Sequence, residues 1–112
     1  EFTKGYGDKF ALETDPFMAA SGADILITDT WTSMGEEAEK EERKKIFKDY
    51  QINRQLLAAA NAGAMVQHCL PAYRGQEITE EVFEEHADEI FNEAENRLHA
   101  QKAVMVKLMK KD

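Results

Sequence analysis

The sequence predicts an α/β fold: a small parallel sheet of three or four strands flanked by helices. Two apolar runs, "DILITDT" and "AMVQHCL", have the length and low internal charge of buried parallel strands. Segments with helical spacing precede, separate and follow them. Strands that alternate with helices are joined by right-handed crossovers into a parallel sheet. At 112 residues the chain is long enough for one small domain, and we expect a single domain over residues 1–112.

The first elements are predicted to be a strand and a helix that lead into the first buried strand. A short strand is predicted at "KFALET". The next segment, "DPFMAASGA", is predicted to be a short helix. Asp15 can cap this helix, Pro16 suits its first turn and Gly22 can end it.

Two more helices are predicted between the buried strands. The segment "EEAEKEERKKIF" has acidic residues early and basic residues late, which suits the helix dipole. The segment "NRQLLAAANAG" has Asn53 as its candidate cap and Gly63 as its candidate stop.

The last part of the chain is predicted to be mainly helical. Thr79 begins a helix with a glutamate two residues later, close to a capping box. A very short strand is predicted around Ile90 and Phe91. The longest helix follows at "ENRLHAQKAVMVKLMKK". Its apolar stripe contains Leu98, Met105 and Met109.

The charge and cysteine content exclude several classes of partner. The formal net charge of −8 disfavours nucleic acid and anionic membranes, which both attract concentrated Lys and Arg. No apolar run approaches the roughly 20 residues needed to cross a bilayer. A single cysteine cannot form an internal disulfide, which fits a reducing compartment. We therefore expect a cytoplasmic protein with no nucleic-acid or membrane partner.

Candidate functional residues follow the two buried strands. Ligands of open α/β sheets bind beyond the carboxyl ends of the strands. Asp29 ends the first of these strands and can bind an ammonium group or act as a turn acceptor, with neither use favoured. In the loop after it, Ser33 offers a hydroxyl and Met34 a flexible apolar arm. This loop can close over a ligand, although simple packing of Trp31 and Met34 is favoured without further observations.

The second strand leads into His68 and Cys69, the only cysteine. Neighbouring side chains of an extended segment point to opposite faces, so a Cys–His nucleophilic pair is not expected. The histidine and cysteine spacing contains no metal motif, and we expect neither a metal nor a cofactor. The next bond, Leu70–Pro71, is a candidate cis peptide. Arg97 can bind an oxyanion, but an ion pair with a neighbouring glutamate is favoured for an isolated arginine.

Three stretches in order, "ADILITDTWTSMG", "HCLPAYRGQEIT" and "DEIFNEAENRLHAQKA", resemble ornithine carbamoyltransferases over about residues 15–109. The resemblance implies a partial Rossmann-like domain that binds ornithine, without a cofactor. H-C-L-P marks carbamoyltransferases at large, whereas D-x-W followed by S-M-G points to ornithine as the amine. The implied reaction transfers the carbamoyl group of carbamoyl phosphate to the δ-amine of L-ornithine, giving citrulline and phosphate.

The resemblance also implies roles for individual residues in binding ornithine. Asp29 would bind the α-amino group of ornithine, and Ser33 and Met34 would hold its α-carboxylate end. Cys69 would lie beside the side-chain amine, where it is better interpreted as an orienting or proton-accepting group than as a nucleophile.

The remaining implied roles concern carbamoyl phosphate. Leu70 would offer its backbone carbonyl to the carbamoyl NH2, next to Cys69. Arg97 would contact carbamoyl phosphate, which makes Cys69 and Arg97 the implied catalytic pair. His68 and Pro71 would support this segment.

Two family segments, S-T-R-T and H-P-x-Q, which cradle the phosphate, do not occur in the sequence. We therefore expect the 112-residue chain to be inactive without the family's N-terminal carbamoyl-phosphate domain. The family's trimer-based assembly implies a homo-oligomer. A non-catalytic interaction or assembly module of the same fold is the alternative function.

Overall fold

The computed structural model describes residues 5–32 and 39–110. Within these ranges the helices and strands are α1 (Pro16–Ala20), β1 (Ile25–Thr28), α2 (Lys40–Phe47), α3 (Arg54–Ala59), β2 (Met65–His68), α4 (Glu80–Glu85) and α5 (Ala87–Met109). Single 3-10 turns lie at Gly7–Lys9 and Lys48–Tyr50. No helix in the described ranges combines the length and apolar character that a membrane span requires.

The two strands pair in parallel, which confirms the predicted fold class. The register aligns Ile25 with Met65 and Thr28 with His68. The sheet has two strands among the described residues, so the prediction of three or four is wrong for this part of the chain. The "KFALET" segment is not a strand, because a strand needs a hydrogen-bonded neighbour and none of the described residues supplies one.

The short strand predicted around Ile90 and Phe91 is also wrong. Both residues lie inside α5, which begins at Ala87 and runs without interruption for 23 residues. A β-branched residue beside an aromatic one favours a strand locally. The helical spacing on both sides overrides this preference, since Ile90 is completely buried when the segment is helical.

The predicted helix caps are present at three short helices. The Asp15 carboxylate accepts hydrogen bonds from the backbone N–H groups of Phe17 and Met18. The Asn53 side chain accepts from Leu56 N–H at 2.9 Å. Thr79 Oγ1 accepts from Val82 N–H at 3.4 Å. Each cap satisfies an N–H group that has no partner within its helix.

The core lies on one face of the sheet. It is formed by apolar side chains of the sheet, of α1, α3, α4 and the start of α5, and of the intervening loops: Ala20, Leu26, Ile52, Leu56, Val66, Ile78, Val82, Phe83 and Ile90. Complete burial of an aliphatic side chain of this kind stabilises a fold by roughly 1.5–3 kcal/mol. The opposite face is open. Ile25 and Ile27 are 46% and 68% exposed, so the prediction of a fully buried first strand is wrong.

Candidate functional site

The carboxyl ends of β1 and β2 bring together the predicted side chains. A carboxylate oxygen of Asp29, a ring nitrogen of His68 and Sγ of Cys69 lie within 4.8 Å of one another. Asp29 is exposed, Cys69 is half-buried and His68 is fully buried. The parallel register places Thr28 beside His68, which is why the residue after β1 meets the residue after β2. The two strand ends therefore form one polar cluster at one edge of the sheet.

The thiol of Cys69 is kept in its neutral form by its surroundings. Burial raises the pKa of Cys69 above its ordinary value, and its hydrogen bond to the Asp29 carboxylate raises it further. The positive charge of Arg97 acts in the opposite direction without reversing the shift. A neutral thiol donates a hydrogen bond, and it is a weak nucleophile. This environment suits an orienting role better than covalent catalysis.

Arg97 reaches the same cluster from α5. Its Nη1 donates a hydrogen bond to the backbone carbonyl oxygen of Cys69 at 2.9 Å. The ion pair with Glu93 or Glu95 that an isolated arginine favours is not found among the described residues. The guanidinium is exposed, so its other N–H groups can bind an anionic ligand beside Cys69.

The segment after Cys69 has an unusual backbone. The Leu70–Pro71 peptide bond is cis, as predicted from the sequence, and Leu70 has a φ of 55°. A positive φ is uncommon for a residue with a branched side chain, and such conformations occur often at binding sites. The backbone N–H of Leu70 donates to Nδ1 of His68 at 2.9 Å, which holds the turn against β2.

His68 is fixed by hydrogen bonds at both ring nitrogens. Nδ1 accepts from the Leu70 N–H, so the proton of the neutral ring resides on Nε2. Nε2 lies 3.1 Å from Oε1 of Glu77, which is also completely buried. β2 ends at His68, so the side chains of His68 and Cys69 need not alternate between opposite faces. A ring nitrogen of His68 lies within 4.8 Å of Cys69 Sγ, which is closer than the predicted opposite orientation would place them. Since both nitrogens already have partners, the ring offers no free lone pair to a metal or to the thiol.

Glu77 is the site residue that the sequence analysis missed. Its Oε1 accepts from the Tyr73 N–H at 2.6 Å as well as from His68. Its own backbone carbonyl accepts from Ile52 N–H at 2.8 Å, and Gln51 Nε2 donates to the Gln76 carbonyl at 2.6 Å. Nothing in the sequence marks this glutamate of the loop between β2 and α4 as buried. Its place beside Ile78, a completely buried core residue, is the local signal that the sequence offers.

Ser33 and Met34 lie outside the described residues. The loop that contains them begins after Trp31, whose ring lies 6.4 Å from the ring of Phe47 in α2. Arg43 of the same helix donates to the Trp31 carbonyl at 3.4 Å. The described end of this loop is thus attached to α2.

Parallel strands, a polar cluster at their carboxyl ends and an arginine from a following helix are an arrangement typical of α/β domains that bind small polar ligands. The model of the family described as aspartate/ornithine carbamoyltransferase, Asp/Orn binding domain, matches residues 1–108. The chain belongs to this family, which confirms the resemblance read from its three motifs.

Individual relatives agree with this assignment. The chain is 56% identical to the ornithine carbamoyltransferase of Nitratiruptor sp. over 110 residues, which are 98% of this chain and 36% of that protein. It is 58% identical to that of Gloeobacter violaceus over 103 residues, 92% of this chain and 33% of that protein. The chain therefore spans about a third of the length of these curated relatives.

Solved structures show the same fold. The anabolic ornithine carbamoyltransferase of Campylobacter jejuni matches with a TM-score of 0.80 and 52% identity, over 84% of this chain and 31% of that one. An acetylornithine transcarbamylase complexed with acetylcitrulline matches with a TM-score of 0.65 and 30% identity, over 87% of this chain and 30% of that one.

Proposed function

We propose that this chain is a partial ornithine-binding domain of an ornithine carbamoyltransferase, and that it acts together with a carbamoyl-phosphate domain. The observation that carries the proposal is the cluster of Asp29, Cys69 and Arg97 at the carboxyl ends of two parallel strands. Its chemistry suits a substrate that carries an amine and a second substrate that carries a phosphate.

The proposed reaction has simple requirements. The δ-nitrogen of ornithine loses a proton and forms a bond to the carbamoyl carbon. The bond between that carbon and the phosphate oxygen then breaks, which releases phosphate and leaves citrulline. The site must hold both substrates in near-attack geometry and stabilise the developing oxyanion.

We assign ornithine to the Asp29 side of the cluster. Asp29 is exposed, and its Oδ1 accepts only the neighbouring Thr30 N–H at 2.7 Å among the described backbone donors. Its carboxylate can therefore bind the α-amino group. Ser33 and Met34 are proposed to hold the α-carboxylate end, and Cys69 to orient the δ-amine. A neutral thiol can donate to Asp29 while its sulfur faces the amine.

Carbamoyl phosphate is assigned to the Arg97 side. Arg97 already contacts the Cys69 carbonyl and is proposed to bind an oxygen of carbamoyl phosphate with its remaining N–H groups. The Leu70 carbonyl is proposed to accept from the carbamoyl NH2. His68 and Pro71 support this backbone without touching the substrates.

The test uses a single polypeptide that joins the preceding two thirds of the Nitratiruptor relative to this chain. We expect it to form citrulline from carbamoyl phosphate and ornithine, whereas the 112-residue chain alone forms none. In the joined protein, Asp29→Asn should raise the ornithine KM about tenfold or more, because a charge-assisted hydrogen bond is lost. Cys69→Ala should lower kcat. Asp24→Asn at the opposite end of β1 is the control, and unchanged kinetics in both site variants would falsify the assignment.

The alternative is a non-catalytic interaction or assembly module. The observation that motivates it is that the two phosphate-cradling segments do not occur in these 112 residues. Citrulline formation by the joined protein would exclude it. The complete enzyme is proposed to be a cytoplasmic, trimer-based homo-oligomer, and sedimentation of the joined protein tests the trimer.

A further inference from the structure

A series of hydrogen bonds connects a buried carboxylate to the backbone that follows Cys69. Oε1 of Glu77 lies 3.1 Å from Nε2 of His68, and it also accepts the Tyr73 N–H at 2.6 Å. Nδ1 of the same ring accepts the Leu70 N–H at 2.9 Å. The imidazole ring therefore links the Glu77 carboxylate to the backbone of Leu70.

This series of hydrogen bonds fixes the tautomer of His68. A backbone N–H can only donate, so Nδ1 must carry the lone pair. The proton of the neutral ring then lies on Nε2, where it needs an acceptor because the ring is completely buried. Among the described residues, Oε1 of Glu77 is the acceptor found for it. The opposite tautomer would place an N–H against the Leu70 N–H and lose that hydrogen bond.

Leu70 has a backbone conformation that depends on its surroundings. Its φ of 55° lies in the left-handed region, which costs free energy for a residue with a side chain. Such a conformation persists only where neighbouring groups hold it. The Leu70 N–H and the Cys69 carbonyl belong to one peptide unit. His68 accepts from its N–H, and Arg97 donates to its carbonyl oxygen at 2.9 Å, so this unit is held from both sides.

The burial of Glu77 is not explained by stability alone. Its side chain has no exposed surface, and its Oε2 has no hydrogen-bond partner among the described residues. A buried polar oxygen without a partner destabilises a fold. Apolar residues in place of both His68 and Glu77 would avoid this cost, so the pair is better explained by a role in the site.

We propose that Glu77 is a positioning residue for the carbamoyl-phosphate side of the site, because it holds His68 in the tautomer that keeps Leu70 in its left-handed conformation. The Leu70 carbonyl is thereby held where it can accept from the carbamoyl NH2. This inference rests on the proposed function, since it gives Glu77 a part in that reaction. Displacing a reacting group by about 1 Å can lower a rate about 100-fold, so a residue that touches neither substrate can still control turnover.

The first test reads the tautomer of His68 by nitrogen NMR of the histidine rings in the joined protein described above. The His68 signals are assigned by their loss when His68 is replaced. We expect a protonated Nε2 and an unprotonated Nδ1. Glu77→Gln should keep this pattern, because the amide oxygen can still accept both hydrogen bonds, whereas Glu77→Leu removes the acceptor and should lower the population of this tautomer.

The second test measures kinetics of the same variants. Glu77→Leu should raise the carbamoyl-phosphate KM about tenfold or more and lower kcat, while Glu77→Gln retains most of the activity. The ornithine KM should change less than about threefold, since Asp29 is not part of the hydrogen-bonded series. Val82→Ala is the stability control, because it truncates a completely buried side chain of α4. It should lower the free energy of unfolding and leave the tautomer and the carbamoyl-phosphate KM unchanged.

Two replacements of His68 separate positioning from packing. The side-chain oxygen of asparagine lies about where Nδ1 does and can accept the Leu70 N–H. The amide of glutamine reaches about as far as Nε2 and can donate to Glu77, but it leaves the Leu70 N–H without its acceptor. Both changes remove the ring. His68→Gln should therefore raise the carbamoyl-phosphate KM at least about threefold more than His68→Asn does.

Three results overturn the proposal: an unchanged tautomer in Glu77→Leu, equal KM values in the two His68 variants, and a KM in Val82→Ala that rises as much as in Glu77→Leu. If Glu77→Leu does not fold, the two His68 variants decide. Failure of the unmodified joined protein to form citrulline contradicts the proposed function instead. The effect of Glu77 on the tautomer is still decided in that case, because the NMR measurement needs no turnover.

Discussion

Nε2 of His68 lies 3.1 Å from Oε1 of Glu77, and neither side chain has exposed surface. The pair joins the end of β2 to the far end of the following loop. Glu77 also accepts a hydrogen bond from the Tyr73 N–H, and His68 accepts one from the Leu70 N–H. These two side chains therefore hold the backbone of the loop at Leu70 and at Tyr73. The position of the Cys69 backbone is therefore set by residues that do not themselves contact the proposed substrates.

Replacing Glu77 by alanine should destabilise the fold strongly. The change leaves the buried Nε2–H of His68 and the Tyr73 N–H without an acceptor, at about 1–3 kcal/mol for each group. We expect the free energy of unfolding to fall by about 3 kcal/mol, measured by urea denaturation. Glu84→Ala is the matched control, since its side chain is 57% exposed and forms a surface ion pair with Arg74. That change should cost less than about 1 kcal/mol, and equal losses would contradict the role of Glu77.

Cys69 should react slowly with iodoacetamide near neutral pH. Burial and the Asp29 carboxylate raise the pKa of its thiol, and only the thiolate is alkylated. The midpoint of the rate against pH should lie above about 8.5, the ordinary value for cysteine. Asp29→Asn removes the negative charge and should move the midpoint to lower pH, whereas Asp24→Asn should not. A midpoint at or below the ordinary value in the unmodified chain contradicts this environment.

The sequence predicted those parts of the fold that depend on contacts between residues close together in the chain. Asp15, Asn53 and Thr79 cap helices because their side chains meet N–H groups two or three residues away, a relationship visible in the sequence. The strand at "KFALET" failed for the opposite reason. Pairing depends on a neighbour that is distant in the chain, and apolar alternation carries no information on whether one is present.

The residues of the candidate site likewise fall into those that the sequence predicted and those whose position depends on contacts distant in the chain. Asp29 and Cys69 were predicted from their positions after apolar runs, since strand ends meet at one edge of a parallel sheet. Glu77 could not be predicted, because its burial results from the turn that brings it back to His68. The half-exposed face of β1 was missed because apolar composition indicates what a strand can bury and not what covers it.

Glu89 should make part of the stability depend on acidic pH. Burial acts to raise the pKa of Glu89, but hydrogen bonds from Val66 N–H and His86 outweigh it and lower the pKa overall. A carboxylate whose pKa is lowered by folding stabilises the folded state above its unfolded value of about 4.3, and this contribution is lost as the pH falls. Glu89→Gln removes the titration, so the decline in stability below about pH 4.3 should be shallower.

The control for this prediction is Glu95→Gln, a change on the exposed surface of the same helix. Urea midpoints measured from pH 3 to pH 7 for the three proteins give the comparison. If Glu89→Gln and Glu95→Gln alter the pH dependence of the free energy of unfolding equally, the Glu89 carboxylate does not contribute to it as predicted.

The second half of α5 should drive self-association of the isolated chain. The predicted stripe is exposed, with Leu98, Met105 and Met109 at 57%, 53% and 78%, and contiguous apolar surface of this kind promotes contact between molecules. Met105→Lys places a charge in the stripe and should shift sedimentation of a concentrated solution toward the monomer. Asn96→Lys adds the same charge to a polar, exposed position of α5 and should not. If both variants dissociate equally, net charge and not the stripe controls association. If the unmodified chain sediments as a monomer at high concentration, the stripe is too small to hold two copies together.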